Sequence, residues 1–135
     1  MFAGYSQHQI YPKICMEQNF VPWDQKIPKG YFRGALTGRH KDKDGNRLDR
    51  YKLLWDSLDH PDHLEVNFSN LYVFENDDIP REKLANFGKL ELCAEIKYKY
   101  MIAIDGHASG WLRGPLILYS SAVPLVIESR FTPLY

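Results

Sequence analysis

Residues 97–121, KYKYMIAIDGHASGWLRGPLILYSS, decide the fold class of this chain. An apolar run from Tyr100 to Ile104 leads into a turn of small residues, and Arg113 then opens a second apolar run. A strand that ends in such a turn and continues as a helix makes room for a phosphate, because main-chain N–H groups at the helix start point at the anion. An arginine on the first helical turn adds a two-pronged cationic donor. This stretch therefore predicts a strand, an anion-sized turn and a helix, in that order.

A second stretch, GYFRGALTG at residues 30–38, has the same construction. Arg33 stands between an aromatic residue and Gly34, a hydroxyl residue follows at Thr37, and Arg50 lies in the helical pattern downstream. If both turns open on the same edge of a parallel sheet, their arginines form one basic pocket. The alternative is that each arginine is a solvated or salt-bridged surface residue, as most charged side chains are.

The rest of the chain alternates predicted strands with predicted helices. The predicted elements are strand one over residues 30–36, helix one over 48–58, strand two over 64–68, helix two within 81–87, strand three over 100–105, helix three over 110–120 and strand four over 123–128. Residues 90–98 stay ambiguous between strand and helix. This alternation favours an α/β fold with a Rossmann-like parallel sheet flanked by helices. We expect one such domain over residues 29–135, preceded by an irregular, proline-broken segment over residues 1–28.

Composition excludes some classes of partner. The 17 basic and 17 acidic residues give a formal net charge of zero, which argues against binding nucleic acid or anionic membranes through bulk charge. Cys15 and Cys93 lack the spacing of a disulfide framework and fit a reducing compartment with no assigned role. No signal peptide is visible, and no apolar run reaches the ~18 residues of a membrane helix. We expect a cytoplasmic protein with no transmembrane segment and no nucleic-acid partner.

Two short clusters could in principle hold a metal ion. Residues 42–46, DKDGN, resemble the start of a calcium loop but lack the bidentate Glu that closes one, so a solvated Asp-Gly turn is the favoured interpretation. His60, Asp62 and His63 surround Pro61 in a predicted loop, where a metal site is unfavourable. We therefore expect no metal.

Taken together, these stretches resemble glycosyltransferase family 90, which includes protein O-glucosyltransferases, capsule-associated xylosyltransferases and lipopolysaccharide-modifying proteins. The residues that carry the resemblance, which spans roughly residues 20–135, are Trp23 and Lys26 of a W-x-x-K motif, Phe32-Arg33-Gly34-Ala35, Arg50-Tyr51-Lys52-Leu53-Leu54, Lys97-Tyr98-Lys99-Tyr100, Gly106, Ser109, Arg113 and Ser120-Ser121. Many relatives have Ser and then Arg after F-R-G, where Ala35 and Leu36 stand here. A phosphate-contacting arginine is thus missing at that place, or Arg39 takes over its work.

The resemblance implies the nucleotide-sugar-binding, C-terminal half of a GT-B glycosyltransferase. It implies inverting transfer of a hexose or pentose from a UDP-sugar to a hydroxyl of a glycan, a lipopolysaccharide or a protein, with no metal. The catalytic carboxylate is expected on a further domain or a separate subunit. The implied nucleotide-sugar-binding residues are Arg33, Gly34, Thr37, Arg50, Asp105, Gly106, His107, Ser109, Gly110 and Arg113.

Alternatives remain open at this point. Asp105 either takes a sugar hydroxyl or caps its turn, and His107 either reaches a phosphate or ribose or is an exposed loop residue. The chain itself is either a glycosyltransferase that acts with a partner, or a nucleotide-binding module without turnover that lacks the domain of the catalytic base.

Overall fold

A computed structural model describes residues 15–71, 78, 93–105, 117 and 120–128, with residues 69–71 as backbone only. The strands are β1 (Ile27–Leu36), β2 (Leu64–Leu71), β3 (Tyr98–Ala103) and β4 (Val123–Val126). Helix α1 spans Asp49–Asp59, and 3-10 helices span Trp23–Gln25 and Ala94–Lys97. Residues 15–19 and residue 117 are also helical.

The four strands form one sheet in the order β2-β1-β3-β4, and every described pair is parallel. This confirms the α/β class that the alternating pattern predicts. Consecutive strands β2 and β3 lie on opposite sides of β1, so the strand order reverses between β1 and β3. In open parallel sheets, ligands bind at the carboxyl ends of the two strands that flank such a reversal.

β1 is buried on both faces of the sheet, as the central strand of a parallel sheet must be. Phe32 and Leu36 are fully buried on the face that α1 covers, whereas Tyr31 is buried on the opposite face. Side chains alternate along a strand, which assigns even-numbered positions from 32 to 36 to the α1 face. The aromatic pair Tyr31-Phe32 therefore anchors both layers.

Helix α1 packs its apolar stripe on the β1 and β2 side of the sheet. Tyr51 and Leu54, three residues apart, are both buried, and Trp55 and Leu58 pack against the same cluster. Among the described residues, the buried cluster consists of Phe32, Leu36, Tyr51, Leu53, Leu54, Phe68, Ile102 and Ile104. Helix one, predicted over residues 48–58, is thus confirmed with a shift of one residue.

The opposite face carries a second buried cluster. It consists of Tyr31, Ala94, Met101 and Ile117. The Tyr31 ring stacks on Tyr98 with centroids 4.3 Å apart. Helical residue 117 therefore covers the face opposite α1, which gives the layered arrangement of an α/β domain.

All four strand boundaries differ from the sequence expectation: β2 continues three residues further than predicted, to Leu71, and β4 ends two residues earlier, at Val126. β1 begins at Ile27 and includes Pro28, within the segment expected to be irregular. The proline is tolerated because β1 pairs with β2 only from Gly30 onward and its register with β3 shifts between Ile27 and Gly30. β3 begins two residues earlier than predicted, at Tyr98, and ends at Ala103. Helix two and almost all of helix three lie outside the described residues, and the division at residue 28 stays a prediction.

The two cysteines are paired, which corrects the expectation of free thiols without a role. Cys15 and Cys93 form a disulfide across 78 residues, with Cα atoms 5.4 Å apart. The bond attaches helical residues 15–19 to the turn that precedes Ala94–Lys97. The local sequence could not predict this disulfide, because it forms only when the fold brings two distant segments together.

Lys26 is a buried cation at the amino-terminal edge of the sheet, with only 4% of its surface exposed. Its ammonium donates hydrogen bonds to the carbonyl oxygens of Ile96 and, at 3.0 Å, Ser120. Burial lowers the pKa of the Lys26 ammonium from its usual range.

Along residues 15–71, 93–105 and the other described positions, no helix has the length and apolarity needed to cross a bilayer.

Candidate functional site

The candidate site lies where the strand order reverses, at the carboxyl ends of β1 and β3. Thr37 directly follows β1, and Asp105 comes two residues after the end of β3. Arg50 reaches the same place from the first turn of α1. Three of the residues predicted from the sequence are therefore neighbours at one edge of the sheet.

Arg50 connects the two strand ends through its guanidinium. Nη1 donates to the Ala35 carbonyl oxygen at 2.7 Å and to the Thr37 hydroxyl oxygen at 3.1 Å. Nη2 donates to the Ile104 carbonyl oxygen at 3.2 Å. The guanidinium carbon also lies 5.2 Å from the centre of the Phe32 ring, within reach of a cation–π attraction. The side chain is thereby fixed from several sides.

The electrostatic setting of Arg50 combines burial with nearby negative charge. Burial lowers the pKa of the Arg50 guanidinium, and the carboxylates of Asp105 and Asp49 oppose that shift by raising the pKa. Because a guanidinium does not deprotonate in proteins, Arg50 keeps its charge. Its Nε atom is buried and, within the described part of the chain, meets no hydrogen-bond acceptor.

The chain reverses sharply at Thr37 and Gly38. The Thr37 amide donates to the Ala35 carbonyl oxygen at 3.0 Å, and Gly38 has φ of 97°. A side chain at Gly38 would be strained in this left-handed region, so glycine is the residue that allows the turn. The turn keeps the Thr37 hydroxyl against Arg50 at the sheet edge.

Arg33 and Gly34 lie inside β1, just before its carboxyl end. Gly34 is opposite Phe68 of β2, and Arg33 is opposite Asn67. Arg33 is half-buried, and strand alternation places it on the Tyr31 face, which is also the face that Ile117 covers. Arg33 and Arg50 therefore belong to opposite faces of the sheet.

The remaining predicted site residues lie outside the described part of the chain. They are Gly106, His107, Ser109, Gly110 and Arg113. The convergence of Arg33 and Arg113 on one anion, and the choice between the alternative roles of His107, therefore stay predictions.

Arg39 was the alternative candidate for a missing phosphate contact. Its side chain is 56% exposed, and its Nε lies 3.9 Å from an Asp49 carboxylate oxygen. The Arg39 amide also donates to that oxygen at 3.3 Å. The Asp49 carboxylate thus occupies the start of α1, where it is favourable for the helix dipole.

Sequence reasoning missed a polar cluster that fixes the loop before α1. Asp78 accepts a hydrogen bond from the Tyr51 hydroxyl and pairs with Lys41 and Arg47 at 3.2 Å each. Chiefly because of the bond from Tyr51, the pKa of the Asp78 carboxyl is well below its usual range. Burial and the same bond raise the pKa of Tyr51, whose ring stacks on His40 at 4.8 Å. Nothing local in the sequence links residues so far apart.

The segment that resembles a calcium loop is a closed hairpin turn. Asp42 accepts hydrogen bonds from the amides of Asp44 and Asn46 and from the Asn46 side chain, each at 2.9 Å. Lys41 and Arg47 close the hairpin as an antiparallel bridge. The carboxylate is thus occupied within its own turn, as the Asp-Gly interpretation requires.

A cleft of about 470 Å³ lies beside this cluster, between the hairpin and the outer side of α1. Several of its charged residues pair with one another, with Lys52 2.6 Å from Asp56 and Arg47 3.2 Å from Asp78. The Arg47 guanidinium carbon lies 3.8 Å from the centre of the Trp55 ring. The cation therefore covers the aromatic face on which a sugar would stack, and the edge of β1 and β3 is the better candidate site.

Comparison with known proteins agrees with this architecture. The sequence profile of glycosyl transferase family 90 matches residues 8–135. No individual curated protein matches the chain significantly. Because the profile covers nearly the whole sequence, the chain belongs to glycosyl transferase family 90.

Proposed function

We propose that this domain binds the diphosphate of a UDP-sugar at the carboxyl ends of β1 and β3. The observation that carries the proposal is the meeting of Thr37, Arg50 and Asp105 where the strand order reverses. Crevices at this place in parallel sheets are the general binding position for nucleotides. Membership of a glycosyltransferase family supplies the class of ligand, a sugar donor.

Arg33 and Arg113 are the proposed diphosphate ligands. Arg33 lies on the Ile117 face of β1, and Arg113 precedes Ile117 by one helical turn in the sequence. An arginine at the start of the predicted helix over residues 110–120 is therefore favourably placed in sequence to approach Arg33. Gly34, Gly106, Ser109 and Gly110 are proposed to allow close approach and to donate from the backbone or hydroxyl, and His107 to reach the phosphate or ribose.

In the proposed reaction, the sugar is transferred with inversion from UDP to an acceptor hydroxyl. Negative charge grows on the UDP diphosphate as the bond to the sugar breaks, and fixed guanidinium groups stabilise it. Because the guanidinium groups would stabilise the UDP leaving group, the proposed reaction does not require a metal ion for that purpose. A carboxylate on another domain or subunit would accept the hydroxyl proton. Asp105 is proposed to hold a sugar hydroxyl.

The proposed acceptor is a hydroxyl of a glycan, a lipopolysaccharide or a protein. The alternative function is a module that binds the nucleotide sugar without turnover. Incubating the isolated chain with a UDP-sugar and measuring the released UDP distinguishes turnover from binding alone. If the chain alone releases UDP and Arg113→Ala abolishes that release, the binding-only function is rejected. If UDP is released only after a partner domain is added, the binding-only function is supported for this chain.

The disulfide indicates that the protein carries out this function in an oxidising compartment. Disulfides persist in oxidising compartments and are rare in the cytosol. The Cys15–Cys93 bond therefore favours the secretory pathway, the periplasm or the cell exterior over the cytoplasmic location expected from the sequence. Sugar transfer to extracellular glycans, lipopolysaccharide or secreted proteins fits those compartments.

Calorimetric titration with UDP tests the binding proposal. Each charge-assisted hydrogen bond is worth roughly 1.5–3 kcal/mol, so Arg33→Ala and Arg113→Ala should each weaken UDP binding by at least about tenfold. Lys43→Ala in the exposed hairpin is the matched control and should leave the Kd unchanged. Unchanged affinity in both arginine variants would reject the assignment. Loss of affinity in Arg39→Ala instead would transfer the phosphate contact to Arg39.

A further inference from the structure

We infer that Lys26 is a positioning residue, which caps the carboxyl end of the helix that includes Ile117 and thereby fixes how far the start of that helix extends toward the proposed crevice. The part of this inference that concerns the crevice rests on the proposed function. The part that concerns the helix end stands on the structure alone.

The W-x-x-K motif places Lys26 through one tight turn. Residues Trp23–Gln25 form a 3-10 helix, and the Lys26 amide closes it by donating to the Trp23 carbonyl oxygen at 3.2 Å. The Trp23 ring packs edge-on against Tyr100 of β3, with ring centroids 6.3 Å apart. The turn is thereby attached to β3, and the Lys26 side chain is directed into the interior. The proposed reaction gives this motif no task of its own.

The helix that includes Ile117 ends close to Ser120. The Ser120 amide and hydroxyl both donate to the Ile117 carbonyl oxygen, at 3.1 and 2.7 Å. Ser121 then has a φ of 56°, in the left-handed region. A left-handed residue after a bond that reaches three residues back is typical of a helix carboxyl end. The last carbonyl groups of a helix have no partner within it and need donors from elsewhere.

The Lys26 ammonium supplies such donors at two helix ends. One acceptor is the Ser120 carbonyl oxygen, at 3.0 Å, and the other is the carbonyl oxygen of Ile96, in the last turn of the 3-10 helix Ala94–Lys97. A cation at a helix carboxyl end also interacts favourably with the helix dipole. One buried side chain therefore joins the helix end to the segment that enters β3.

This cap lies at the opposite edge of the sheet from the proposed crevice. Because β3 and β4 are parallel neighbours, the connection between them must return from the carboxyl edge to the amino-terminal edge. Arg113 precedes Ser120 by seven residues, or about two helical turns, in the predicted helix over residues 110–120. Ile117 holds the helix against the sheet, and Lys26 fixes its position along its own axis. Fixing the far end thus places Arg113 at the crevice.

The helix-end part is tested without any ligand, by amide hydrogen exchange. In Lys26→Met, exchange of the Ser120 and Ala122 amides should accelerate at least about tenfold, with little change in the centre of β1. Lys26→Gln, which keeps N–H donors without the charge, should show a smaller acceleration and serves if the Met variant unfolds. Lys29→Met is the control, because Lys29 bonds to the Pro61 carbonyl oxygen at an exposed position of the same strand. Unchanged exchange at Ser120 in both Lys26 variants would overturn the inference.

The crevice part is tested by a double-mutant cycle with UDP as the probe, at a temperature where circular dichroism shows every variant folded. Lys26→Gln should weaken UDP binding about tenfold, because a small displacement of the helix start misplaces a ligand. Lys29→Met should leave the Kd unchanged. In an Arg113→Ala background, Lys26→Gln should cost less than about threefold further, because Lys26 acts through Arg113.

Two results would overturn the crevice part. One is an unchanged Kd in Lys26→Gln, and the other is fully additive losses in the double variant, which would mean that Lys26 serves the fold alone. If the unmodified protein fails to bind UDP, the proposed function is wrong and the crevice part falls with it. The exchange experiment then still decides whether Lys26 caps the helix.

Discussion

The Lys26 ammonium and the Ser120 carbonyl oxygen are joined by a 3.0 Å hydrogen bond across 94 residues of sequence. The same ammonium donates to Ile96, so one buried cation connects the segment before β1 to the residues that precede β3 and β4. Arg50 makes the equivalent connection at the opposite edge of the sheet. Each end of this sheet is therefore held by a cation that bonds to main-chain carbonyls.

Lys26→Met should destabilise the fold although it removes a buried charge. Relief of the desolvation cost favours the variant, but two carbonyls lose their donor, and each buried unsatisfied group costs about 1–3 kcal/mol. We expect a net loss of about 2–4 kcal/mol in the free energy of unfolding, measured by urea denaturation. Lys29→Met is the matched control, because Lys29 bonds to the Pro61 carbonyl at an exposed position. Equal stability of the two variants would contradict the role given to Lys26.

Reduction of the disulfide should weaken the fold through the unfolded state. The bond closes a loop across 78 residues, for which the loop-entropy relation gives about 4.5 kcal/mol. Urea unfolding with and without dithiothreitol measures this difference. The Cys15→Ser/Cys93→Ser variant should be insensitive to the reductant and should match the reduced protein. Two reactive thiols in denatured, unreduced protein from an oxidising host would show that the pair does not form.

Asp78→Asn should flatten the acid side of the stability profile. The pKa of Asp78 is lowered in the folded protein, so its contribution to stability is present above the unfolded value of about 4 and is lost as the pH falls below it. Thermal midpoints of the native protein should therefore fall more steeply between pH 5 and pH 3 than those of the variant. Asp62→Asn, in the exposed turn before β2, is the control and should keep the native steepness. Parallel profiles for native protein and Asp78→Asn would contradict the Tyr51–Asp78 contact as a stabilising one.

Local patterns predicted the elements whose cause is local. Helix α1 was predictable because Tyr51, Leu54, Trp55 and Leu58 recur at helical spacing, and those are the side chains that pack on the sheet. β1 was predictable from its apolar residues but not at its start. Pro28 argues against a strand only where the sheet needs a backbone N–H at that position, which proline lacks, and that need depends on the register of the neighbouring strands.

Contacts across long sequence separations were not predictable. No sequence pattern links the members of three such pairs, because they become neighbours only when the sheet has formed. The pairs are Cys15 with Cys93, Lys26 with Ser120, and Tyr51 with Asp78. For Arg50, the place near the strand ends could be predicted, but only the fold shows that its guanidinium reaches the Ala35 and Ile104 carbonyl oxygens.

The structure of the protein in complex with UDP tests the central claim most directly. Our account predicts the diphosphate at the carboxyl ends of β1 and β3, within hydrogen-bond distance of the Arg33 and Arg113 guanidinium groups and of the Thr37 hydroxyl. A complex in which Arg33 and Arg113 lie on opposite faces of the sheet, or are separated by more than a diphosphate can span, would contradict the account.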